Sequence, residues 1–367
     1  MSQFWSPQKK GKAYPPVQPT KHRAEVAPPM KTKVTELLGI KYPIVMGGMT
    51  GVGTPQLAAA VSEAGGLGIF AIHNAGGKTD EEMVENGRAW IREAKRLCGD
   101  KPFGVNLTIL PAARPPPYEG FARIIAEERV PVMETAGSGG KQLEGIIKQA
   151  KAAGVTCIHK CTSVRHALSA EKYGVDILSV DGFECAGHPG RDDVGNLVLL
   201  ASAARQLHVP FIASGGIATG SQLAAVLALG ADGVNLGTRV CITRECSWPE
   251  AYKQRAVEST ELDTIVINRK LGDPTRFYRN SPLVEAAKIE EAAAKFKIED
   301  VFHLIAGVRG RKAEKDGDPD AGAWSAGQSV GLINDVPTVN EMVQSFMHEA
   351  YDTYKDRLAG MLGASKL

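Results

Sequence analysis

Residues 210–238 read PFIASGGIATGSQLAAVLALGADGVNLGT, and this stretch contains the pattern that decides the fold. An apolar run over 210–213 leads into a glycine pair, a segment of helical periodicity over 219–229, and a second apolar run over 232–236. Short runs that are apolar on both faces are typical of buried parallel strands, and the link between them is long enough for a crossover helix. The stretch therefore predicts a strand–helix–strand unit.

The same alternation continues through most of the chain. Eight runs are predicted as strands: residues 43–47, 67–71, 103–107, 130–134, 156–160, 176–180, 210–213 and 232–236. Helices are predicted between them over 54–65, 80–98, 119–129, 140–153, 163–173, 195–207 and 219–229. Several begin at a capping residue or end at a glycine, namely Thr54, Ser163 and Thr219, and Gly65, Gly154, Gly174 and Gly230. Eight consecutive units favour a closed (β/α)8 TIM barrel over a doubly wound open sheet.

The chain is predicted to have three parts. Residues 1–33 are rich in proline and lysine and contain one acidic residue, Glu25, so we expect an extended arm that lies on the domain or in solvent. Residues 34–244 form the barrel core. Residues 245–367 look mostly helical and are too long to be only the eighth barrel helix, so we expect a helical C-terminal segment that packs on the barrel mouth.

Composition narrows the class of protein. Lys+Arg 43 against Asp+Glu 41 gives a net charge of +2, which favours neither a nucleic acid nor a membrane as partner. The N-terminus lacks the apolar stretch of a secretory signal, and the six cysteines lack zinc-site spacing, so we expect reduced thiols and no metal. We expect a cytoplasmic protein, or a peroxisomal one if the source is eukaryotic, because the chain ends Ser365-Lys366-Leu367.

The strand ends point to a phosphate. In this fold the site is built at the C-terminal ends of the strands, and phosphate usually binds in the loops after strands seven and eight. Ser214-Gly215-Gly216 precedes a predicted helix N-terminus, where backbone N–H groups and the helix dipole favour an anion. Gly237-Thr238 follows the next strand and can close the other side of the pocket. The alternative is that these glycines only make tight turns.

Four further side chains are candidates for chemistry. His188 lies in a glycine-rich loop at a strand end, and a neutral imidazole suits proton transfer near pH 7. Lys160 is a ligand-binding cation or the partner of a helix carboxylate, and Asn106 can offer a donor and an acceptor to a heterocycle. Asp181 orients a neighbour or a ligand hydroxyl, or caps the following turn. The role of Glu184 is left open.

From about Val34 to Val339 these residues together resemble the nitronate monooxygenase family of FMN-dependent barrel enzymes. The most specific piece is Val180–Gly190, which is similar to the family's loop with its catalytic histidine. The family usually reads Ala-Gly-Gly-His where this chain reads Cys185-Ala186-Gly187-His188. The supporting pieces are Gly47-Gly48-Met49, Gly104-Val105-Asn106, His159-Lys160, Ala213–Ile217, Asn235–Arg239 and Ser325–Gly331.

The resemblance implies a cofactor and a role for each site residue. FMN would lie between strands one, three, five and six, beside Gly47 and Gly48, with its phosphate on Ser214, Gly215, Gly216, Gly237 and Thr238. Met49 and Asn106 would flank the isoalloxazine, Lys160 would approach its pyrimidine end, and Asp181 would reach a ribityl hydroxyl. His188 would face the substrate. We also expect Gln328, in the late glycine-rich segment, to reach the cofactor or substrate region.

The electron donor is left open by these motifs. The resemblance implies a monooxygenase that oxidises alkyl nitronates with O₂ to carbonyl compounds and nitrite, with neutral nitroalkanes as a further candidate substrate. The alternative is an NAD(P)H-dependent FMN reductase of enoyl-thioesters or quinones, because such enzymes share the same loops. A non-catalytic flavin-binding module is a third interpretation. The expected partners are a small-molecule substrate with O₂ or NAD(P)H, and the oligomeric state is open, with a homodimer as one alternative.

Overall fold

The computed structural model describes residues 22–109, 115–137 and 140–361. Eight parallel strands pair in sequence order, and the last pairs with the first, so they form a closed barrel. The strands are β1 (Ile44–Met46), β2 (Leu67–Ala71), β3 (Phe103–Ile109), β4 (Val132–Gly137), β5 (Thr156–Cys161), β6 (Ile177–Asp181), β7 (Phe211–Ser214) and β8 (Val234–Leu236). The predicted (β/α)8 fold is confirmed, with each strand beginning or ending within a few residues of its predicted bounds.

Seven helices follow the first seven strands in turn. They are α2 (Pro55–Glu63), α3 (Asp80–Cys98), α4 (Tyr118–Glu127), α5 (Gly140–Ala152), α6 (Val164–Glu171), α7 (Asn196–Gln206) and α8 (Gly220–Ala228). The Thr54, Ser163 and Thr219 side chains each accept a hydrogen bond from the first turn of the following helix, as their positions predict. Gly65, Gly154, Gly174 and Gly230 all have positive φ just after helices, where a residue with a Cβ would be strained.

The lower half of the barrel interior is apolar. Val132, Ile158, Ile177 and Ile212 belong to one buried cluster with Val34 and Leu38 of a short helix, α1 (Lys33–Leu38). This helix was not predicted, and it covers the N-terminal end of the barrel. Because side chains alternate between the two faces of a strand, the residue two positions later faces the same interior one layer higher. The residues two positions after these apolar ones therefore line the interior nearest the mouth.

The described part of the predicted arm lies on the last long helix of the chain, α14 (Val339–Asp352). Residues 22–32 contain no helix or strand. The Ala27 N–H donates to Gln344 Oε1 at 2.8 Å, the Tyr351 hydroxyl donates to the Pro29 carbonyl at 2.8 Å, and His348 Nε2 lies 2.7 Å from the Glu25 carbonyl oxygen. These contacts place residues 22–32 along one side of the barrel.

The predicted C-terminal segment has two separate parts. α14 packs against α8 and α2, so it takes the eighth position in the helical layer and belongs to the barrel. The chain between β8 and α14 lies toward the mouth and includes an antiparallel pair that was not predicted, β9 (Thr264–Ile267) with β10 (Thr275–Tyr278). The expectation of one mostly helical segment after residue 245 that packs on the barrel mouth is corrected in these two respects: α14 belongs to the helical layer of the barrel, and the part before it contains a two-stranded sheet.

The remaining elements of the described chain are short, apart from three helices of eight or more residues, α10 (Glu250–Val257), α11 (Ser281–Ala292) and α13 (Gly307–Asp316). The short helices are α9 (Thr238–Cys241), α12 (Phe302–Ile305) and α15 (Ala359–Met361). Single 3₁₀ turns lie at Ile72–Ala75, Arg269–Leu271, Ile298–Asp300 and Gln328–Leu332, and a π-helical turn at Thr353–Leu358 joins α14 to α15.

Two sequence-based expectations concern thiols and termini. All six cysteines are free and buried, as expected of packing residues. The terminal Ser365-Lys366-Leu367 lies outside the described residues, so its interpretation as a peroxisomal address stays a prediction. Among the residues that the structure covers, no helix combines the length and apolar character needed to cross a bilayer.

Candidate active site

A polar layer lies directly above the apolar layer inside the barrel. Glu134 follows Val132 by two positions on β4, and Lys160 follows Ile158 by two on β5. Ser179 follows Ile177 in the same way on β6. Strand alternation therefore turns each of these polar side chains toward the mouth side of the interior, and neighbouring strands bring them together. We call the group of Glu134, Asn106, Asn235, Lys160 and Ser179 the floor of the site.

Glu134 is the centre of the floor. Its side chain is completely buried and accepts three hydrogen bonds. Oε2 accepts from the Gly48 N–H at 2.8 Å and from Asn106 Nδ2 at 2.8 Å, while Oε1 accepts from Asn235 Nδ2 at 3.2 Å. Lys160 Nζ lies 3.9 Å from Oε1, which is an ion pair without a hydrogen bond. Four strand ends are thus joined through one carboxylate.

The glycines after β1 pack closely on this floor. A Cβ at Gly48 would lie 2.1 Å from the Asn106 Cβ, and a Cβ at Gly47 would lie 2.6 Å from Asn235 Oδ1. The Gly47 N–H donates to that same oxygen at 2.8 Å. The absence of side chains therefore allows the backbone itself to contact the floor, and the predicted site residues Gly47 and Gly48 are brought to Asn106 and Lys160.

The floor uses more of Asn106 than the sequence suggests. Its Nδ2 donates to Glu134, and its Oδ1 accepts from the Thr108 hydroxyl at 2.9 Å. An amide nitrogen has two hydrogens and an amide oxygen two lone pairs, so one donor and one acceptor position remain for a ligand. Asn235 is bonded more completely, because its Nδ2 also donates to Ser179 Oγ at 3.0 Å.

Charge in the floor is unevenly distributed. Burial opposes the positive charge of Lys160, but the carboxylates of Glu134 and Asp181 outweigh it and raise the pKa of this lysine above its usual value. Burial raises the pKa of Asp181, and the nearby Lys160 only partly opposes that shift. Asp181 Oδ1 accepts from Ser179 Oγ at 3.2 Å, so it is joined to the floor. Lys160, about one-fifth exposed, stays protonated and reaches the mouth.

His188 lies at the rim, away from the floor. Its side chain is about half exposed, and Nε2 is 3.7 Å from Asp273 Oδ2. The preceding Gly187 has φ +72° and pairs with Arg276 of β10 through two backbone hydrogen bonds of 3.1 and 2.6 Å. The histidine therefore sits in a loop that is held from outside the barrel by the unpredicted two-stranded sheet.

Arg276 supports the same loop through its side chain. The guanidinium donates to the Phe183 carbonyl at 3.0 Å and to Thr264 Oγ1 at 2.9 Å, and lies 4.5 Å from the centre of the Phe183 ring. Its Nε has no partner among the described residues, although the side chain is buried. We call the loop Gly182–Gly190 together with Arg276 the rim.

The glycine pair after β7 is shaped as predicted, but the helix after it is not free. Gly215 and Gly216 have φ +84° and +73°, and neither N–H donates a hydrogen bond to another described residue. The N-terminus of α8 is already satisfied, because Gln222 Oε1 accepts from Ala218 and Thr219 and Glu349 accepts from Gly220 at 2.9 Å. These N–H groups of the helix terminus are therefore occupied within the chain, and the Gly215 and Gly216 amides remain as donors, while anion binding at this place stays a prediction.

The late glycine-rich segment contacts the strand ends, as expected. The Gly327 N–H donates to Thr238 Oγ1 at 2.9 Å, just after β8. The Gln328 N–H donates to the Glu184 carbonyl at 2.9 Å, so the same segment also covers the loop after β6. Glu184 in turn accepts from the Asn196 N–H with both oxygens, at 3.0 and 3.1 Å, and so caps α7. Glu184, whose role the sequence left open, therefore makes a helix-capping contact.

Met49 and the thiols lie around the edge of the floor. Cys241 Sγ donates to Met49 Sδ at 3.5 Å, and Gly237 has only this sulfur near the position of a Cβ. Cys185, one of the two residues that depart from the family pattern, is buried, and burial together with the charge of Asp181 raises the pKa of its thiol. A neutral thiol of this kind contributes packing rather than nucleophilic chemistry.

Sequence reasoning named two residues of the floor, Asn106 and Lys160, but not its centre. Glu134, Asn235 and Ser179 stood in the predicted strands without an assigned role. A signal was available: an acidic residue two positions after a buried valine, inside an apolar strand, is rare unless it has partners. Arg276 carried no such signal, because its strand was itself not predicted.

The chain is similar to proteins of one known family. The family model described as nitronate monooxygenase matches residues 31–349. A (3aS,4S,5R,7aS)-5-hydroxy-7a-methyl-1-oxo-octahydro-1H-indene-4-carboxyl-CoA dehydrogenase from Rhodococcus jostii is 29% identical, over 88% of this chain and 96% of that protein. The structure of FabK from Thermotoga maritima has a TM-score of 0.79 and 35% identity, over 90% of this chain and 99% of that chain.

A second solved structure is similar at a comparable level. The nitroalkane oxidase from Streptomyces ansochromogenes has a TM-score of 0.72 and 29% identity, over 88% of this chain and 99% of that chain. The similar proteins thus include both a nitroalkane oxidase and a dehydrogenase that is named for a CoA thioester.

Proposed function

Because the chain belongs to the nitronate monooxygenase family, we propose that it is an FMN-dependent enzyme that oxidises alkyl nitronates with O₂ to carbonyl compounds and nitrite. That it is an oxidoreductase follows from the family, which is generally flavin-dependent. The identity of the flavin, the substrate and the residues that act on it are parts of the proposal.

The observation that carries the proposal is the Lys160 ammonium at the mouth of a closed barrel. Its Nζ donates no hydrogen bond to another described residue, yet it is held 3.9 Å from a buried carboxylate. A protonated amine with free donors suits a ligand that becomes more negative as the reaction proceeds, and a reduced flavin is such a ligand.

The donor groups of the site fit FMN. The Gly215 and Gly216 N–H groups lack acceptors among the described residues, and backbone amides of this kind bind phosphate well. Thr238, with its buried hydroxyl, lies beyond them at the end of β8. One phosphate cradle without a second nucleotide fingerprint favours FMN over FAD. We assign the phosphate to Ser214, Gly215, Gly216, Gly237 and Thr238, and the ring to Gly47, Gly48, Met49, Asn106 and Lys160.

His188 is the proposed proton-transfer residue. It lies at the rim, half exposed, where a small substrate can reach it. In a nitroalkane reaction the imidazole would take the proton from the carbon that bears the nitro group, and a nitronate has no such proton. Asp181 would orient a ribityl hydroxyl, and Gln328, whose segment covers the loop after β6, would lie over the ligand. When bound, FMN supplies the oxidation itself and passes electrons to O₂.

A reductase of enoyl-thioesters is the second candidate function. It is favoured by the 35% identity to FabK and by the relative named as a CoA-thioester dehydrogenase. The floor would serve either function equally, because it binds the cofactor. The two functions differ in the electron donor, which for the reductase is NAD(P)H.

Two measurements on the purified protein test the proposal. Flavin released by heat is identified on a column beside standards, and FMN is expected. The yellow protein is then mixed with NADH under argon, and separately with a nitronate and O₂. Nitrite formation with slow bleaching by NADH supports the monooxygenase, whereas rapid bleaching supports the reductase. A folded protein that yields FAD or no flavin contradicts the cofactor assignment.

A further inference from the structure

Glu134 has a place in the floor that nothing in the proposed function uses. It is a completely buried carboxylate, and an isolated buried charge of this kind is costly in a protein interior. Three neutral donors and one cation surround it: the Gly48 N–H, Asn106 Nδ2, Asn235 Nδ2 and Lys160 Nζ. These groups come from the ends of four different strands. The carboxylate therefore lies where it contacts three of the other four floor residues.

Glu134 makes its hydrogen bonds to neutral groups and only an ion pair with the charged one. The three neutral donors lie at 2.8, 2.8 and 3.2 Å, while the Lys160 ammonium stays at 3.9 Å. Because the neutral donors occupy its oxygens, the carboxylate attracts Lys160 through its charge but accepts no hydrogen bond from the ammonium group. Those N–H groups stay available to a ligand, and the positive charge that the ligand meets is partly offset.

Asp181 does not duplicate this effect. It is the other carboxylate whose charge acts on Lys160, and burial raises its pKa, so it is held less firmly in the charged form. The side-chain donors to Asp181 are the hydroxyls of Ser179 and Ser214, whereas three N–H groups donate to Glu134. Glu134 is thus the carboxylate that is hydrogen-bonded most extensively to the floor.

We propose that Glu134 is a positioning residue that sets the reduction potential of the bound flavin, by offsetting the Lys160 charge and by fixing the Gly48 and Asn106 donors. The inference rests on the proposed FMN function. Reduction adds electrons to the cofactor beside Lys160, so an uncompensated lysine favours the reduced form. Glu134 lowers that preference and keeps the reduced cofactor a better electron donor.

The experiment compares Glu134→Gln with the wild-type holoenzyme. Glutamine keeps the size of the side chain and removes its charge. The midpoint potential of the bound flavin is measured by reductive titration against reference dyes. We expect the reduction equilibrium to shift at least tenfold toward the reduced form, which is about 30 mV for a two-electron couple.

Glu290→Gln is the matched control. Glu290 is also a buried carboxylate that accepts backbone N–H bonds, from Asn268 at 2.7 Å and Lys270 at 2.8 Å, but it lies on α11 outside the floor. It should lose stability without moving the potential by more than about twofold in the equilibrium, about 9 mV on the same conversion. A purely structural role for Glu134 would make the two variants behave alike.

A second pair of variants covers the case in which Glu134→Gln does not retain flavin. The double variant Glu134→Gln/Lys160→Gln is compared with Lys160→Gln alone, where no unpaired lysine remains. The double variant should have the higher potential, because only the single variant keeps the buried negative charge near the flavin. Equal potentials overturn the proposal.

The remaining outcomes are also decisive. A Glu134→Gln protein with bound flavin and an unchanged potential overturns the inference and leaves the proposed function intact. A double variant that also lacks flavin overturns the potential-setting role and makes Glu134 a residue needed only for binding. A wild-type protein without flavin contradicts the proposed function instead.

Discussion

The floor and the rim of this site are built in opposite ways. The floor consists of strand residues inside the barrel, and its central carboxylate is completely buried with every contact made within the barrel. The rim is a loop whose histidine is half exposed and whose backbone pairs with Arg276, outside the barrel. A rigid floor suits a cofactor that stays bound, whereas a rim held by an added segment can vary with the substrate.

Two histidines illustrate the same difference. His159 lies on β5 next to Lys160 but on the opposite face of the strand, toward the helical layer, where it is buried and its Nδ1 is 2.9 Å from the Thr135 hydroxyl. Burial lowers its pKa to about 4, with a smaller contribution from His166. His188 has no such enclosure and remains accessible to substrate. Residue type alone does not separate a histidine packed behind a strand from one that is exposed at the rim.

The largest predicted effect comes from a substitution in the rim. His188→Asn should lower turnover of a neutral nitroalkane by about 10²–10⁴-fold, because the base that removes its proton is lost. Turnover of the pre-formed nitronate should be spared, since it has no proton to remove. Steady-state rates on both substrates measure the effect, with His208→Asn, at a side chain 83% exposed, as control. Unchanged kinetics on every active substrate, with flavin bound, would make His188 structural.

The next largest effect comes from a substitution that disturbs the packing on the floor. Gly48→Ala places a Cβ 2.1 Å from the Asn106 Cβ, so the backbone after β1 has to move. We expect the free energy of unfolding to fall by about 3 kcal/mol, the upper end of the range for overpacking, and the protein to lose most of its flavin. Urea unfolding and flavin content are the measurements.

Gly145→Ala is the control for that change. Gly145 lies in α5 with no atom within 4 Å of a Cβ, so alanine should stabilise the helix slightly. If Gly48→Ala retains full flavin and wild-type stability, the close contact between this backbone and the floor has no energetic role.

The third effect tests the buried histidine behind the floor. The unfolded-state pKa of His159 is about 6.5 and the folded value is about 4, so the folded state binds the proton less well. The associated stability is present above pH 6.5 and is lost as pH falls toward 4. Between pH 7 and pH 5 the wild type should lose about 2 kcal/mol through this group.

His159→Gln should remove that part of the pH dependence, whereas His208→Gln, at an exposed position, should leave it in place. Urea unfolding at the two pH values gives the difference. An equal loss in the wild type and in His159→Gln would show that the acid sensitivity has another source.

The smallest predicted effect loosens the rim without breaking it. Arg276→Met removes hydrogen bonds to the Phe183 carbonyl and the Thr264 hydroxyl, but the backbone pairing to Gly187 can persist. Amide exchange at Gly187 should become about tenfold faster, equivalent to roughly 1.4 kcal/mol of local stability, with flavin affinity unchanged. Arg255→Met, which breaks a surface pair with Asp320, is the control. Weaker flavin binding in Arg276→Met would contradict the separation of rim and floor.

Chain-local patterns were enough to predict the barrel. Apolar runs of strand length, capping residues such as Thr54 and Thr219, and glycines such as Gly154 and Gly174 all act within a few residues of their own position. The resemblance carried over Gly48, Asn106 and Lys160, and the structure brings these three together. Their contacts with FMN stay predictions.

The tertiary structure decided what depends on contacts between distant residues. Glu134 meets Gly48, 86 positions away, and Asn235, 101 positions away, and only closure of the barrel gives its carboxylate those partners. Glu349 likewise accepts a hydrogen bond from the Gly220 N–H at the α8 N-terminus from 129 positions away, so this terminus offers fewer free N–H groups than the sequence suggests. Periodicity and capping report on neighbours along the chain, so the sequence by itself determined the barrel and its strand ends. Which polar groups those ends satisfy, and which they leave free for a ligand, was decided by the closed fold, because that balance is set by packing in three dimensions.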